Sequence, residues 1–474
     1  MRPAHRAGRD RCDASRSSHG ESVSCHAEDV ESRLEQPTRS VGVVLGGFGA
    51  DGGMNGPGEP ANVWKVGEAL ARVPASGIGA DLWHRHHDVL ELLEVLDPDH
   101  VVIPVDWAQL APTADRLDAS VVARYRLLLG ALRERGIGVE LRLSDGCVPA
   151  TLGQEFWLLP GAPQVFGAFV SMVAGALGDL VDRWETIHDP VRWVLEGFLL
   201  GSHPPFRRLA IDDACSALDG LLAAHVAGTS TLIDAGVLPS AISLGLSPMV
   251  FDLDRAIGLA MVAAASGADD EAISTSLGVA RRGDDASAVS QIARVLNPLG
   301  LGRRRSWPAR PTPRRFLEAL CAAGERHAGV SISVIVDPVP YQVAAFGKMW
   351  ALPRRSGSVE LPASFDPAAG RGTLVEGFAW ATRHNTLRAG QSERGLVDLL
   401  AARHALGSAS GCIRYTYDGI LDGYRHGTFG YRTGLSSVDR SRGQHGVTWR
   451  STDAGGQNAV GAFARLVAAL RETR

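Results

Sequence analysis

Eight short apolar runs separated by amphipathic stretches constrain the fold of this 474-residue chain more than any other feature. The runs are VGVVLGGF (41–48), HVVIPVDW (100–107), GVELRLS (138–144), RWETIHDP (183–190), SAISLGLSP (240–248), SISVIVDP (331–338), GFAWATRH (377–384) and GCIRYTYD (411–418). Between them lie stretches such as DVLELLEVL (88–96), VVARYRLLLGALRERG (121–136) and FGAFVSMVAGALGDLVDRW (166–184). Their apolar residues recur at three and four, as on one helix face. Alternating strand and helix signals call for a parallel sheet with helical crossovers. Eight such units predict that the sheet closes, giving an α/β fold: a single-domain (β/α)8 TIM barrel over residues 41–474. One barrel absorbs a chain of this length without a second domain.

Three segments fit no strand–helix unit. Residues 1–40 are polar and lack an apolar pattern, so a disordered N-terminal arm is expected there. Residues 266–315 carry ADDEA, RRGDD and the run Arg303–Arg305, and residues 353–372 are rich in Pro, Gly and Ser. Both read as surface insertions.

Composition narrows the function classes. Hydrophobic residues make up 45% and charged residues 21%, the balance of a globular chain rather than a disordered or fibrous one. A net charge of −4 gives no electrostatic footprint for nucleic acid or an anionic membrane, so neither is expected as a partner. No charge-free apolar run is long enough to span a bilayer. The six cysteines include no CxxC pair, which points to a reducing, cytoplasmic setting. No metal or cofactor is expected. The cluster HRHHD (84–88) sits on a predicted helix and reads as a surface or packing feature. The glycine-rich LGGFGADGG (45–53) reads as a mouth loop, because MNGPGEPAN follows it rather than a helix that would complete a nucleotide site.

In barrels of this kind the chemistry lies where the strands end. The residues ending the eight runs include Asp106, Trp107, Asp145, His188, Asp189, Asp337, Arg383, His384 and Asp418. Asp189 beside His188 reads as an acid/base pair at one strand end.

Six segments, in order, carry a resemblance. GADLWHRHHDVLELLEVL (79–96) looks like an early His/Arg/Asp-bearing helix, and VVIPVDWAQLAP (101–112) like a strand ending in SxxW. WETIHDP (184–190) is similar to WxTxNEP, with EGFLLGSHPP (196–205) after it and ISLGLSPMVFDLDRA (242–256) as the next strand and loop. GILDGYRHGTFGYRTGLSSVDR (419–440) is similar to SLLDNFEWxxGYxxRFGLxxVD. Together they resemble glycoside hydrolase family 1, the β-glucosidase-like retaining enzymes. The resemblance implies the barrel fold and a sugar-binding mouth. It puts Asp189 at the acid/base position with His188 before it, and, through WATRHN (380–385), Arg383 at the nucleophile position with His384 beside it. It also places Asp145 near the sugar-binding histidine, Arg425 and His426 at the sugar-binding glutamate and tryptophan, and matches Trp107. Asp337 joins these as a substrate-binding candidate.

Retaining hydrolysis needs two carboxyl groups about 5–5.5 Å apart, one attacking the anomeric carbon and one protonating the leaving oxygen. A guanidinium stays protonated and cannot attack carbon. The expectation is therefore a divergent family 1-like barrel that acts on or binds a sugar-derived or anionic small molecule, without the standard double displacement. An arginine at this place invites a carboxylate or phosphate group. Two alternatives stay open: a non-catalytic barrel that binds a sugar or a partner, and a glycosidase whose carboxylates are relocated, with Glu376 or Asp337 as the nucleophile.

Overall fold

The structure is a computed structural model. It describes residues 40–247, 257, 260–261, 314–335, 342–345, 348–351, 373–376, 382–383, 412–425, 427–432, 434–441, 446–453, 456 and 458–472. The expected N-terminal arm and the insertion at 353–372 lie outside these residues, except that Ser40 opens the first strand. Only the end of the 266–315 insertion is described, where Arg314 and Arg315 begin a helix.

Eight parallel strands close into a barrel: β1 (Ser40–Val44), β2 (His100–Pro104), β3 (Gly138–Arg142), β4 (Arg183–Glu185), β5 (Ile242–Leu246), β6 (Ser331–Ile335), β7 (Thr373–Glu376) and β8 (Cys412–Tyr417). The order around the barrel is β1-β8-β7-β6-β5-β4-β3-β2, with β1 pairing both β8 and β2. Six strands fall inside the runs picked out by hydrophobicity, and β1 begins one residue before its own. The seventh strand falls outside its run. It is the four-residue TLVE, immediately before GFAWATRH, and its register sets Val375 against Val334 and Glu376 against Ile335. Thr382–Arg383 instead pairs antiparallel with Tyr431–Arg432, in a separate two-stranded sheet. The aromatic content of GFAWATRH outweighed the shorter segment, whose β-branched Thr and Val are sufficient for a strand of this length.

Helices cover the outside. They include α1 (His86–Leu96), α2 (Ala119–Glu134), α3 (Ala162–Leu177), α4 (Pro190–Val194), α5 (Ile211–Asp234), α6 (Arg314–Ala323) and α7 (Ala459–Glu472). Asp118 caps α2, its carboxylate accepting from the backbone N–H groups of Ser120 and Val121. α3 is apolar enough, by length and composition, to cross a membrane. Here its Phe166, Phe169, Val170 and Val173 are fully buried against the barrel wall. The HRHHD cluster lies on the surface, where His84 meets Asp81 at 2.7 Å and His87 meets Glu91 at 3.2 Å.

Strands alternate their side chains between two faces. In β3 and β4 one set, Val139, Leu141 and Trp184, joins the hydrophobic core. The other set is Glu140, Arg142, Arg183 and Glu185, all buried. Barrel interiors are ordinarily filled by branched apolar residues; this one is charged. Arg142 Nε donates to Glu185 Oε2 at 3.0 Å. Glu140 Oε2 lies 3.3 Å from Arg414 Nη2 and 3.8 Å from Arg183 Nε. At the closing seam, the His100 ring meets Ser40 Oγ at 2.7 Å and Thr416 Oγ1 at 2.9 Å, linking β1, β2 and β8. Burial holds His100 neutral, well below the ordinary histidine range. Gly42 permits this seam, since a Cβ there would stand 2.3 Å from the His100 ring.

The two buried arginines differ in kind. Arg142 is hydrogen-bonded to a carboxylate, whereas none of the three guanidinium nitrogens of Arg183 makes a hydrogen bond. Removing one partner of a buried pair is costly, and less so where the lost cation is poorly hydrogen-bonded and the remaining carboxylate keeps another partner. Arg142→Met is expected to lower stability by about 3–5 kcal/mol. Arg183→Met, which leaves Glu140 its contact with Arg414, is expected to cost clearly less. Thermal unfolding of the two variants beside the wild type checks this, and equal large losses would contradict it.

Candidate active site

A cavity of about 200 Å³ opens at the C-terminal ends of the strands. Residues 46–50, from the glycine-rich loop after β1, form part of its rim, as expected of a mouth loop. One wall is aromatic. Phe48 stacks on Trp64 at 5.9 Å, and Tyr424 and His203 meet Trp64 edge-on at 5.9 and 4.9 Å. The opposite side is charged, with Arg142, Asp145, His188, Asp189 and Asp418 reaching the same space.

The charged side begins with the Arg142–Glu185 pair. Glu185 Oε1 lies 2.6 Å from His188 Nδ1. Burial alone would raise the Glu185 carboxyl, but the Arg142 and His188 charges bring it below its usual value. Burial and Arg142 work against protonating His188, yet Glu185 raises it to about 9, so the ring is an imidazolium at neutral pH. Gly245 on β5 makes room for the pair: a Cβ there would lie 2.3 Å from Glu185 Oε1 and 2.9 Å from His188 Nδ1.

Asp189 follows in the turn from β4 to α4. Its φ of 47° is left-handed, which is uncommon for a residue other than glycine and costs energy. Pro190 opens the helix, so the chain turns sharply at this carboxyl. Oδ2 accepts from Ser247 Oγ at 2.9 Å, while Oδ1 makes no hydrogen bond. Burial raises the Asp189 carboxyl above the ordinary range, against the opposing pull of Arg192 and His188. A buried carboxyl with one free oxygen and a raised affinity for its proton has the features of a general acid.

In the loop after β8, Arg425 grips Asp418 through two hydrogen bonds, of 2.6 and 2.9 Å. Despite burial, this pairing holds the Asp418 carboxyl well below the usual carboxylate range. Arg425, expected as a substrate-binding residue, therefore reaches the mouth already engaged with a carboxylate. Asp145 lies on the rim, with its side chain 42% exposed and Arg142 Nη1 at 3.8 Å.

The structure thus gathers Asp145, His188, Asp189 and Arg425 around one cavity. Trp107 does not join them. It is fully buried, stacked on Phe169 at 4.4 Å and edge-on to Phe156 at 5.8 Å, and it belongs to the packing behind the barrel wall. Arg383 is not at the end of a barrel strand; Glu376 occupies that place on β7. Asp337, His384 and His426 lie outside the described residues. Glu185, Arg142, Arg192, Glu196 and Ser247 were not singled out in the sequence. A signal for two of them was present, because Glu185 and Arg142 are charged residues placed inside otherwise apolar strand runs.

The sequence profile of Glycosyl hydrolase family 1 matches residues 41–249, which includes Asp189 and Ser247. Over that stretch the chain is similar to glycosyl hydrolase family 1. Among curated proteins, coniferin β-glucosidase of Pinus contorta is 25% identical over 201 residues, 39% of this chain and 39% of that protein. Putative β-glucosidase 17 of Oryza sativa subsp. japonica is 26% identical over 159 residues, 33% of this chain and 53% of that one. The matched stretch thus spans roughly two fifths to half of these relatives' lengths. Among solved structures, the family 1 β-glucosidase from Thermotoga maritima superposes with a TM-score of 0.64 at 15% identity, over 91% of this chain and 97% of that one. An aphid myrosinase gives 0.62 at 15% identity, over 91% and 98%. At these identities the structural matches bear on the fold alone, which they share over 91% of this chain.

The core placement of Trp107 has a direct consequence. Trp107→Ala is expected to cost about 3–5 kcal/mol of stability, without changing the affinity of the folded protein for sugar ligands. Chemical denaturation together with calorimetric titration of a glycoside checks both parts, and weakened binding in a fully folded variant would return Trp107 to the site.

Proposed function

We propose that this protein is a retaining β-glycosidase of family 1, with Glu376 as nucleophile and Asp189 as acid/base. The observation that carries the reading is the position of β7, whose last residue is a glutamate in register with Ile335 of β6 and Thr416 of β8. Ile335 lines the cavity. With Asp189 following β4, an acidic residue ends each of two barrel strands, and retaining hydrolysis needs such a pair. The earlier objection, that no carboxylate stands at the nucleophile position, rested on the displaced seventh strand.

In this reading the Glu376 carboxylate attacks the anomeric carbon while the Asp189 carboxyl gives its proton to the glycosidic oxygen, and the aglycone leaves as an alcohol. Asp189, now a carboxylate, takes a proton from water as that water attacks the anomeric carbon. The sugar–Glu376 ester bond then breaks, and both groups return to their starting states. Aspartate is one methylene shorter than glutamate, and the left-handed turn at Asp189 places its backbone directly at the cavity. Ser247 holds one carboxyl oxygen and leaves the other for the substrate. The aromatic wall suits the C–H face of a pyranose, while Asp145 and Asp418 offer acceptors to its hydroxyls.

The expectation of an anionic ligand rested on Arg383 at the nucleophile position; Arg383 pairs with Tyr431 outside the barrel, and Arg142 and Arg425 at the cavity are each paired with a carboxylate. Hydrolysis of aryl β-glucosides is the expected assay. Glu376→Gln is expected to reduce turnover to background. Asp189→Asn should cost ~10²–10⁴-fold in kcat with poor leaving groups and much less with strongly acidic phenols, which depart without a proton. Undiminished turnover in Glu376→Gln would refute the assignment.

A further inference from the structure

Beyond the two carboxyl groups, the cavity wall holds a buried acid that the mechanism does not use. Glu196 is 1% exposed and reaches the cavity from a six-residue π-helical turn, Leu195–Leu200, that continues α4. Such turns recur at functional sites. Asp189, Arg192 and Glu196 are spaced by three and then four residues, so the helical progression brings all three to one face as acid, base, acid. Arg192 Nε donates to Glu196 Oε1 at 3.1 Å. The other oxygen, Oε2, lies 2.7 Å from His203 Nδ1. Backbone N–H groups of Ser202 and His203 donate to the Glu196 carbonyl at 2.9 and 3.2 Å, closing the turn on itself. One carboxylate oxygen of Glu196 is thus hydrogen-bonded to Arg192 and the other stands at ion-pair distance from His203, which fixes the Arg192 head on the same helical face as Asp189.

We propose that Glu196 is a positioning residue: it clamps Arg192 on the cavity wall, balances its charge, and so governs up to what pH Asp189 can deliver its proton. The inference rests on Asp189 being the acid. The groups that bear on Asp189 are Arg192 and Glu196 from the helix, His188 in the same turn, held by Glu185, and Ser247 just after β5. Of these, Arg192 and Glu196 act in opposite directions, Arg192 favouring the carboxylate and Glu196 the protonated acid.

The opposition gives the test its sign. In Glu196→Gln the like charge is gone while Arg192 keeps its own, so Asp189 ionises at lower pH and the alkaline limb of kcat/KM moves down, by about one unit. In Arg192→Met the attracting cation is gone and Glu196 remains, so the alkaline limb moves up. Glu196→Asp keeps the charge and is expected to keep the limb near its wild-type position even if kcat falls. The experiment is the pH profile of aryl β-glucoside hydrolysis for the wild type, these three variants and Asp189→Asn. Opposite shifts for Glu196→Gln and Arg192→Met support the clamp, because a purely structural role would lower activity in both without displacing the limbs in opposite senses. Shifts in the same direction, or none, overturn it. Arg192 sits at the cavity surface, so its variant still decides the matter should Glu196→Gln fail to fold. The Asp189→Asn profile separates the two failures. If it retains the alkaline limb, the assignment of the acid is wrong; if it loses the limb while the other variants leave it in place, only the clamp is wrong.

Discussion

The Arg142–Glu185 pair and the His188 ring that it holds connect the interior of this barrel to its chemistry. Two charges buried in a strand wall are expensive unless their hydrogen-bonding groups are matched. Here Glu185 is matched on both oxygens, by a guanidinium and by an imidazole. The strands that supply them, β3 and β4, are neighbours, so the pair also fixes their register. His188 is raised into its charged form by the same carboxylate, and the next residue is Asp189. A single buried acid thus sets the electrostatic surroundings of the Asp189 carboxyl, and Gly245 on β5 is required because any side chain there would displace it.

The mouth follows the same logic throughout. Positive groups at the cavity meet carboxylates of this chain: Arg142 with Glu185, Arg192 with Glu196, Arg425 with Asp418. The site is rich in charge but internally balanced, which fits an uncharged sugar better than an anion. The aromatic wall of Phe48, Trp64 and Tyr424 provides the apolar counterpart. Where the sequence departs from the family pattern, at His188 and Arg425, each replacement comes with a partner nearby in the chain, Glu185 three residues before one and Asp418 seven before the other.

Much of this was legible in the sequence, and what was not had physical reasons. The period of strand and helix signals was sufficient for the barrel, because each unit must bury an apolar face on both sides of the sheet. His188, Asp189 and Asp145 were found because strand ends face the mouth. Glu376 was kept only as an alternative, off the strand end, because TLVE is short and ends in a charge, while the segment after it is longer and richer in aromatic residues. Trp107 was misplaced because a tryptophan at a strand end reads the same whether it turns inward to a ligand or outward to Phe169. The charged interior, Glu140, Arg142, Arg183 and Glu185, was hidden by the opposite assumption, that barrel strands are apolar on both faces.

The central claim is that Glu376, at the end of β7, forms the bond to the sugar. Its most direct test is to trap that bond. A 2-deoxy-2-fluoro-β-glucoside with a good leaving group slows the second step more than the first, so a glycosyl ester accumulates on the nucleophile. Peptide mass spectrometry of the inactivated protein is predicted to find one fluorosugar on the segment that contains Glu376, and none in Glu376→Gln. Labelling of Asp337, Asp145 or Asp418 instead, or turnover without any trapped ester, would contradict the account.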